Sequence, residues 1–186
     1  MELWPALSLG WLNGWLLLAG FYMVFGVLLL VYPREVVARL YAFPRLSGRR
    51  MAVWMAGRAF NLGCLALIVL TPLKLSQGVF VVGSAAFALG FAVMMVALHD
   101  YRTTPLGQPV TKGLYRLSRN PQWLGLAVMF LGTCIAIGSW AAVILLLVMV
   151  GFYHLRLLGE EDALLQQYGE AYREYMRRVP RYFVFF

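Results

Sequence analysis

The sequence predicts an all-α integral membrane protein with five transmembrane helices, and three observations support this fold class. Of the 186 residues, 62% are hydrophobic and only 13% are charged. The apolar residues fall into long runs, and a helix needs about 20 such residues to cross a bilayer. The arginines and lysines are concentrated in the short connections between these runs, as in multi-pass membrane proteins.

The five predicted spans differ in length and in how they are connected. The fourth is short, and only Gly138 and Ser139 separate it from the fifth, so these two should form a tight antiparallel hairpin. We expect one membrane domain over residues 1–186, with three spans in 1–98 and the polar loop, hairpin and tail in 99–186. The spans are residues 9–31, 52–73, 79–98, 123–137 and 140–158.

The chain changes character after Glu160, where apolar residues begin to recur on one face of a helix. Charged and amide side chains occupy the opposite face. This pattern predicts an amphipathic helix on or near the membrane surface. Its apolar face would contain Leu164, Leu165, Tyr168, Tyr172, Tyr175 and Val179.

The distribution of positive charge predicts the orientation in the membrane. Residues 33–50 contain five arginines, whereas no Lys or Arg precedes the first span. By the positive-inside rule this loop is cytoplasmic, the N-terminus is outside and the C-terminus is inside. A multi-pass protein of a prokaryotic inner membrane is expected. The net charge of +8 does not indicate nucleic acid binding, because a nucleic-acid-binding domain spreads basic residues over a soluble surface.

A first polar cluster precedes the hairpin, between Gly113 and Gly125. Its guanidinium groups, amide side chain and backbone amides suit a carboxylate or a phosphate. Pro121 stands where the fourth helix should begin, which makes Asn120 a candidate N-cap. A helix cap would explain these two residues without any ligand, so both interpretations stay open.

A second polar cluster follows the hairpin. Arg156 precedes Glu160 by four residues, so the two are neighbours on a continuous helix. One interpretation is an interfacial ion pair with snorkelling side chains. The other is a site for a cationic ligand, because three consecutive acids, residues 160–162, would lie beside an anionic membrane surface.

The cysteines, the histidines and one arginine inside a predicted span are the remaining candidates for a functional role. Cys64 and Cys134 lie inside apolar segments, and the chain has only two histidines. A metal site built from ordinary ligands is therefore not expected. Arg58 either contacts a substrate or snorkels to the interface, and His99 either lines a pocket or ends a helix.

The two clusters together resemble the isoprenylcysteine carboxyl methyltransferase and phospholipid methyltransferase superfamily. The first reads Gly113-x-Tyr115-Arg116-x-x-Arg119-Asn120-Pro121-x-Trp123-x-Gly125, and the second reads Arg156-x-x-x-Glu160-Glu161 and later Val179-Pro180-Arg181. That superfamily usually has His and Tyr where this chain has Asn120 and Trp123. The change leaves hydrogen bonding and an aromatic ring in place but removes a possible general base.

The resemblance implies a methyltransferase that uses S-adenosylmethionine at the cytoplasmic membrane face. Its acceptor would be a lipid or another lipophilic molecule, such as a phospholipid amine or an isoprenoid carboxylate. Arg156 and Glu161 are the implied catalytic residues. Cofactor binding is implied for Gly113, Tyr115, Arg119, Asn120, Pro121, Trp123, Gly125, Glu160 and Glu161. The candidates for acceptor binding are Arg58, His99, His154 and Tyr172.

Three alternatives remain open at this stage. A small transporter is disfavoured because no Asp or Glu falls inside the five predicted spans. A membrane reductase of the related sterol reductase group would need more helices and a dinucleotide-binding fingerprint. A noncatalytic relative that keeps the fold is the third alternative. The sequence does not predict an oligomeric state.

Overall fold

The computed structural model describes residues 1–42 and 48–183, without the side chains of Arg49 and Arg50. Arg45, another of the five arginines that predict the orientation, lies outside the described residues. Over the described part of the chain the regular structure is helical, with seven α-helices and one short 3-10 helix, Gly113–Arg116. The α-helices are α1 (Trp15–Val31), α2 (Arg34–Leu40), α3 (Gly48–Leu70), α4 (Gly78–Arg102), α5 (Pro121–Ala136), α6 (Trp140–Tyr168) and α7 (Glu170–Arg178).

Three of the predicted spans are long and apolar enough to cross a membrane, namely those in α3, α4 and α6. The other two predicted spans are helices of 17 and 16 residues, α1 and α5. Both are shorter than the roughly 20 residues that a bilayer crossing takes. The prediction of an all-helical membrane protein is thus confirmed, whereas the structure does not confirm five complete spans.

The predicted start of the first span, at residue 9, is wrong because residues 1–14 have another role. This N-terminal segment is largely non-helical and packs across the ends of other helices. Its Ser8 amide donates to the Leu70 carbonyl at 2.7 Å, and its Glu2 amide donates to the Gly138 carbonyl at 2.8 Å. These bonds satisfy carbonyls at a helix end and a turn, where intrahelical partners are missing.

The predicted hairpin of α5 and α6 is confirmed. Helix α5 ends at Ala136, α6 begins at Trp140, and the Ser139 hydroxyl caps α6 by accepting from the Ala142 amide at 3.2 Å. Helix α6 runs further than predicted, to Tyr168, and Gly169 separates it from α7. The hairpin therefore brings the start of α5 and the end of α6 to the same end of the molecule, which we call the polar end.

Helices α4 and α5 pack with their backbones in close contact, because glycines face each other along the seam. A Cβ on Gly90 would lie 2.6 Å from the Gly125 carbonyl oxygen, and one on Gly125 would lie 2.8 Å from the Met94 amide nitrogen. Gly83 and Gly132 meet one level further along the same seam. Small residues permit this approach, which gives helices in lipid much of their packing energy.

Replacing Gly90 by Leu should therefore separate α4 from α5. We expect a loss of about 1–3 kcal/mol in the free energy of unfolding, because the facing backbone cannot move aside as a flexible side chain can. Chemical unfolding in lipid bicelles measures this loss. Gly20→Leu in α1 is the matched control, since a Cβ there meets no atom within 4 Å. Equal stability of the two variants would contradict the close seam.

Candidate functional site

The carboxylate of Glu161 joins the two polar clusters at the polar end. Its Oε1 accepts from Arg119 Nε at 3.0 Å, and its Oε2 accepts from Arg181 Nη2 at 2.8 Å. The side chains of Glu161 and Arg119 are each only 3% exposed. The hydrogen bonds to Glu161 raise the pKa of Arg181, so this guanidinium group stays charged. The three side chains form a buried ionic cluster with one net positive charge, which we call the Glu161 cluster.

Arg119 also holds the end of α7 and the residues that follow it, 179–183, which we call the tail. Its Nη1 donates to the carbonyls of Met176, at 2.9 Å, and Val179, at 3.2 Å, and its backbone amide donates to the Pro180 carbonyl at 2.9 Å. Arg119 lies just before α5, so these bonds fix the tail against the start of that helix. The side chain that the sequence assigns to the cofactor thus has a structural role here, and its contact with a cofactor stays a prediction.

Asn120 occupies the N-cap position of α5, but its side chain makes no capping hydrogen bond. Its Nδ2 instead lies 3.5 Å from Glu161 Oε1 and 3.4 Å from the Arg181 carbonyl oxygen. Pro121 is the first residue of the helix, as predicted. The capping explanation therefore holds for the position and fails for the Asn120 side chain, which belongs to the Glu161 cluster.

Glu160 belongs to a second ionic pair, with Arg156. The carboxylate accepts from Arg156 Nε at 2.9 Å across one helical turn, as the spacing predicts. The Arg156 guanidinium also lies 5.6 Å from the centre of the Trp123 ring, which packs on Tyr153 at 4.7 Å. Two successive glutamates thus bind different arginines, so that Arg156 is associated with Glu160, while Glu161 is bound by Arg119 and Arg181.

A cavity of about 460 Å³ opens beside the Glu161 cluster, and we call it the tyrosine-lined cavity. Burial raises the pKa of Tyr115, Tyr172 and Tyr175, so these side chains are neutral phenols at neutral pH. The Tyr175 hydroxyl donates to the Tyr115 carbonyl at 2.7 Å. The aromatic and basic side chains that line the cavity are Arg39, Tyr101, Tyr115, Arg119, Tyr168, Tyr172 and Tyr175.

Sequence reasoning missed the wall of this cavity that α2 provides. Arg39 Nη2 donates to the Gln108 carbonyl at 2.6 Å, and its guanidinium lies 4.8 Å from the centre of the Tyr101 ring. A signal for this short helix was present, because Pro33 precedes it, Glu35 lies in its first turn and Arg39 in its last. Such a distribution of charge favours a helix start and a helix end.

A second cavity of about 300 Å³ lies among α1, α3, α5 and α6, and we call it the apolar cavity. At one place in its wall, His154 Nδ1 and the Tyr182 hydroxyl share a hydrogen bond of 2.9 Å. Most of its other lining residues are apolar. The polar side chains in the lining are Tyr22, Arg58, Asn61, Trp123, Tyr153, His154 and Tyr182.

The residues predicted to bind an acceptor separate into three groups in the structure. Arg58 and His154 line the apolar cavity, and Tyr172 lines the tyrosine-lined cavity. His99 is exposed near the end of α4 and lines neither of these two cavities. The structure therefore does not bring the four residues to one place.

Two glycines predicted to bind cofactor have packing roles. Gly125 lies in the seam between α4 and α5. Gly113 has a φ of +56°, and a Cβ there would collide with the carboxylate of Asp100, whose Oδ2 accepts from the Leu114 amide at 2.9 Å. Within the described residues no group of three or more His, Cys, Asp or Glu side chains is arranged to hold a metal ion.

Comparison with known proteins places this chain in a family of membrane methyltransferases. The model of the phospholipid methyltransferase family matches residues 65–171, which is more than half of the chain. The chain belongs to this family, and the resemblance predicted from the two clusters is confirmed.

The curated proteins include one relative that is similar to part of this chain. This chain is 33% identical over 72 residues to a protein-S-isoprenylcysteine O-methyltransferase of Schizosaccharomyces pombe. The match covers 38% of this chain and 30% of that protein's length. No solved structure matches the chain.

Loss of the Glu161 carboxylate should lower the free energy of unfolding more than loss of the Glu160 carboxylate. Glu161→Gln leaves the buried Arg119 without its charged partner, and we expect a loss of about 3–5 kcal/mol in the free energy of unfolding. Glu160→Gln breaks a more exposed pair, with side chains 17% and 20% exposed, and should cost about 1 kcal/mol or less. Chemical unfolding in bicelles compares the two variants. A larger loss for Glu160→Gln would contradict the central role of Glu161.

Proposed function

We propose that this chain transfers the methyl group of S-adenosylmethionine to a membrane-embedded or lipophilic acceptor. One observation carries the proposal, namely that two separate cavities flank the start of α5. Arg119 lines the tyrosine-lined cavity, and Trp123, four residues later, lines the apolar cavity. A cofactor in the first cavity and a lipophilic acceptor in the second would thus approach each other at residues 119–123.

The residues of the tyrosine-lined cavity fit S-adenosylmethionine. A volume of about 460 Å³ falls in the range of pockets for small ligands and cofactors. Neutral tyrosine rings suit both the adenine and a positively charged sulfonium group. The net positive charge of the Glu161 cluster suits the carboxylate of the cofactor, and Glu160 is the candidate partner for its ammonium group.

The apolar cavity is the proposed acceptor site. Its lining of aromatic and aliphatic side chains with a few polar groups is typical of a site for an amphipathic molecule. We also propose that the polar end faces the cytoplasm, because Arg34, Arg39, Arg102 and Arg116 all lie there.

When bound, S-adenosylmethionine supplies an electrophilic methyl group on a positively charged sulfur. The task of the protein is alignment of the two reactants and exclusion of water. Arg119 and Glu161 hold the tail against α5 and so close the polar end. Arg156 holds Glu160 and covers Trp123, which keeps this part of the wall of the apolar cavity in place. In this account Arg156 and Glu161 are positioning residues, because both are bound to other side chains.

Binding of S-adenosylmethionine tests the proposal directly. Calorimetry on the protein in lipid nanodiscs should give a dissociation constant in the micromolar range, and Tyr168→Ala should weaken binding about tenfold, or about 1.4 kcal/mol. The matched control is Tyr41→Ala, because Tyr41 is an exposed tyrosine outside the lining of the cavity. The proposed site would be contradicted if a folded sample did not bind S-adenosylmethionine, or if both variants lost the same amount of affinity for it.

Methyl transfer tests the role of Arg156. With methyl-labelled S-adenosylmethionine and total lipid extract, Arg156→Gln should lower the rate of label incorporation at least about tenfold, since misplacement of a reactant by about 1 Å has larger effects than this. Arg177→Gln is the control, because its side chain is 70% exposed. A full rate for Arg156→Gln would show that the pair with Glu160 does not position the site.

A further inference from the structure

The charged lining of the apolar cavity has one sign. Arg58 lies in its wall together with His154 and Asn61, and none of the described residues in that wall is an aspartate or a glutamate. A protonated amine would enter this cavity without an anionic partner, and burying an unpaired charge is costly. An anionic headgroup would find a guanidinium and hydrogen-bond donors there.

The nearby carboxylates are already bound by arginines. Glu161 is held by Arg119 and Arg181, and Glu160 is held by Arg156. A phospholipid amine is protonated at neutral pH and must lose a proton before it can attack a methyl group. Neither carboxylate lines the apolar cavity, and the Glu161 carboxylate, bound by two guanidinium groups, is a poor base for that step. An acceptor that arrives as an anion needs no base.

We infer that Arg58 selects the acceptor, and that the acceptor is a lipophilic acid that reacts as its anion. This inference rests on the proposed function and adds the acceptor class and the residue that recognises it. Arg58 suits this role because its guanidinium stays charged at every physiological pH. It lies 5.1 Å from the centre of the Trp54 ring, which holds the side chain at the edge of the cavity.

The chemical step balances without a proton acceptor. A lone pair of the acceptor oxygen or sulfur forms the new bond to the methyl carbon. The bond between that carbon and the sulfonium sulfur breaks, and its electron pair stays on sulfur. The acceptor anion becomes a neutral ester or thioether, and the sulfonium becomes a neutral thioether. The acceptor product has lost the negative charge that Arg58 binds, which favours its release, and the cofactor product has lost only the sulfonium charge.

Amphiphiles with the same alkyl tail and different headgroups show how much the headgroup contributes to binding. Dodecanoate, dodecylamine and dodecanol are titrated at neutral pH into the protein in phosphatidylcholine nanodiscs, with empty nanodiscs subtracted. We expect dodecanoate to bind at least about tenfold more tightly than dodecylamine, with dodecanol between them. Tighter or equal binding of dodecylamine would overturn the inference.

Variants of Arg58 assign the preference to this side chain. Arg58→Gln should remove most of the preference for dodecanoate, and Arg58→Lys should keep most of it. The control is Arg102→Gln, which removes a charge that stacks on Tyr32 at 5.0 Å and lines neither cavity. If Arg58→Gln and Arg102→Gln lose the preference for dodecanoate equally, the preference is a general effect of surface charge and the inference is overturned.

Binding of S-adenosylmethionine and methyl transfer, measured on the same samples, distinguish a failure of this inference from a failure of the proposed function. Preference for dodecanoate in a protein that does not bind S-adenosylmethionine would contradict the methyltransferase proposal alone. Binding of S-adenosylmethionine together with preference for dodecylamine would contradict the acceptor class alone. Methyl-labelled cofactor then tests the reaction itself, because dodecanoate should yield a labelled methyl ester.

Discussion

The buried carboxylate of Glu161 is the interaction on which the polar end depends. It lies on α6, and its two partners come from the start of α5 and from the tail, so three separate segments meet on one side chain. Burial of these charges is costly unless they stay paired. The arrangement is therefore a constraint as much as a source of stability. As long as the ion pairs hold, the tail has one position relative to α5.

This constraint explains how a short chain forms two separate cavities. The glycine seam holds α4 against α5, the hairpin holds α5 beside α6, and the Glu161 cluster closes the polar end. On one side of the cluster, tyrosines of α4, α6 and α7 surround one cavity, and on the other side α1 and α3 complete the other. Two neighbouring cavities suit a reaction between two different molecules.

The sequence predicted the helices, the hairpin and the pair of Arg156 with Glu160, because periodicity and spacing are local properties. It did not predict that Glu161 would bind Arg119 and Arg181, since these residues are distant in sequence and their contacts depend on tertiary packing. The late start of α1 was also missed, because the apolar residues Leu9, Trp11 and Leu12 continue the apolar run of the helix. The non-helical course of the N-terminal segment depends on hydrogen bonds to α3 and to the α5–α6 turn.

The central claim is that S-adenosylmethionine occupies the tyrosine-lined cavity beside the Glu161 cluster. Photo-crosslinking with methyl-labelled S-adenosylmethionine tests it most directly, with unlabelled S-adenosylhomocysteine as the competitor and peptide mapping of the label. The account predicts label that the competitor removes, located within residues 101–119 or 164–175, which contain the cavity tyrosines. Label that the competitor removes but that lies only in α1 or α3 would contradict it.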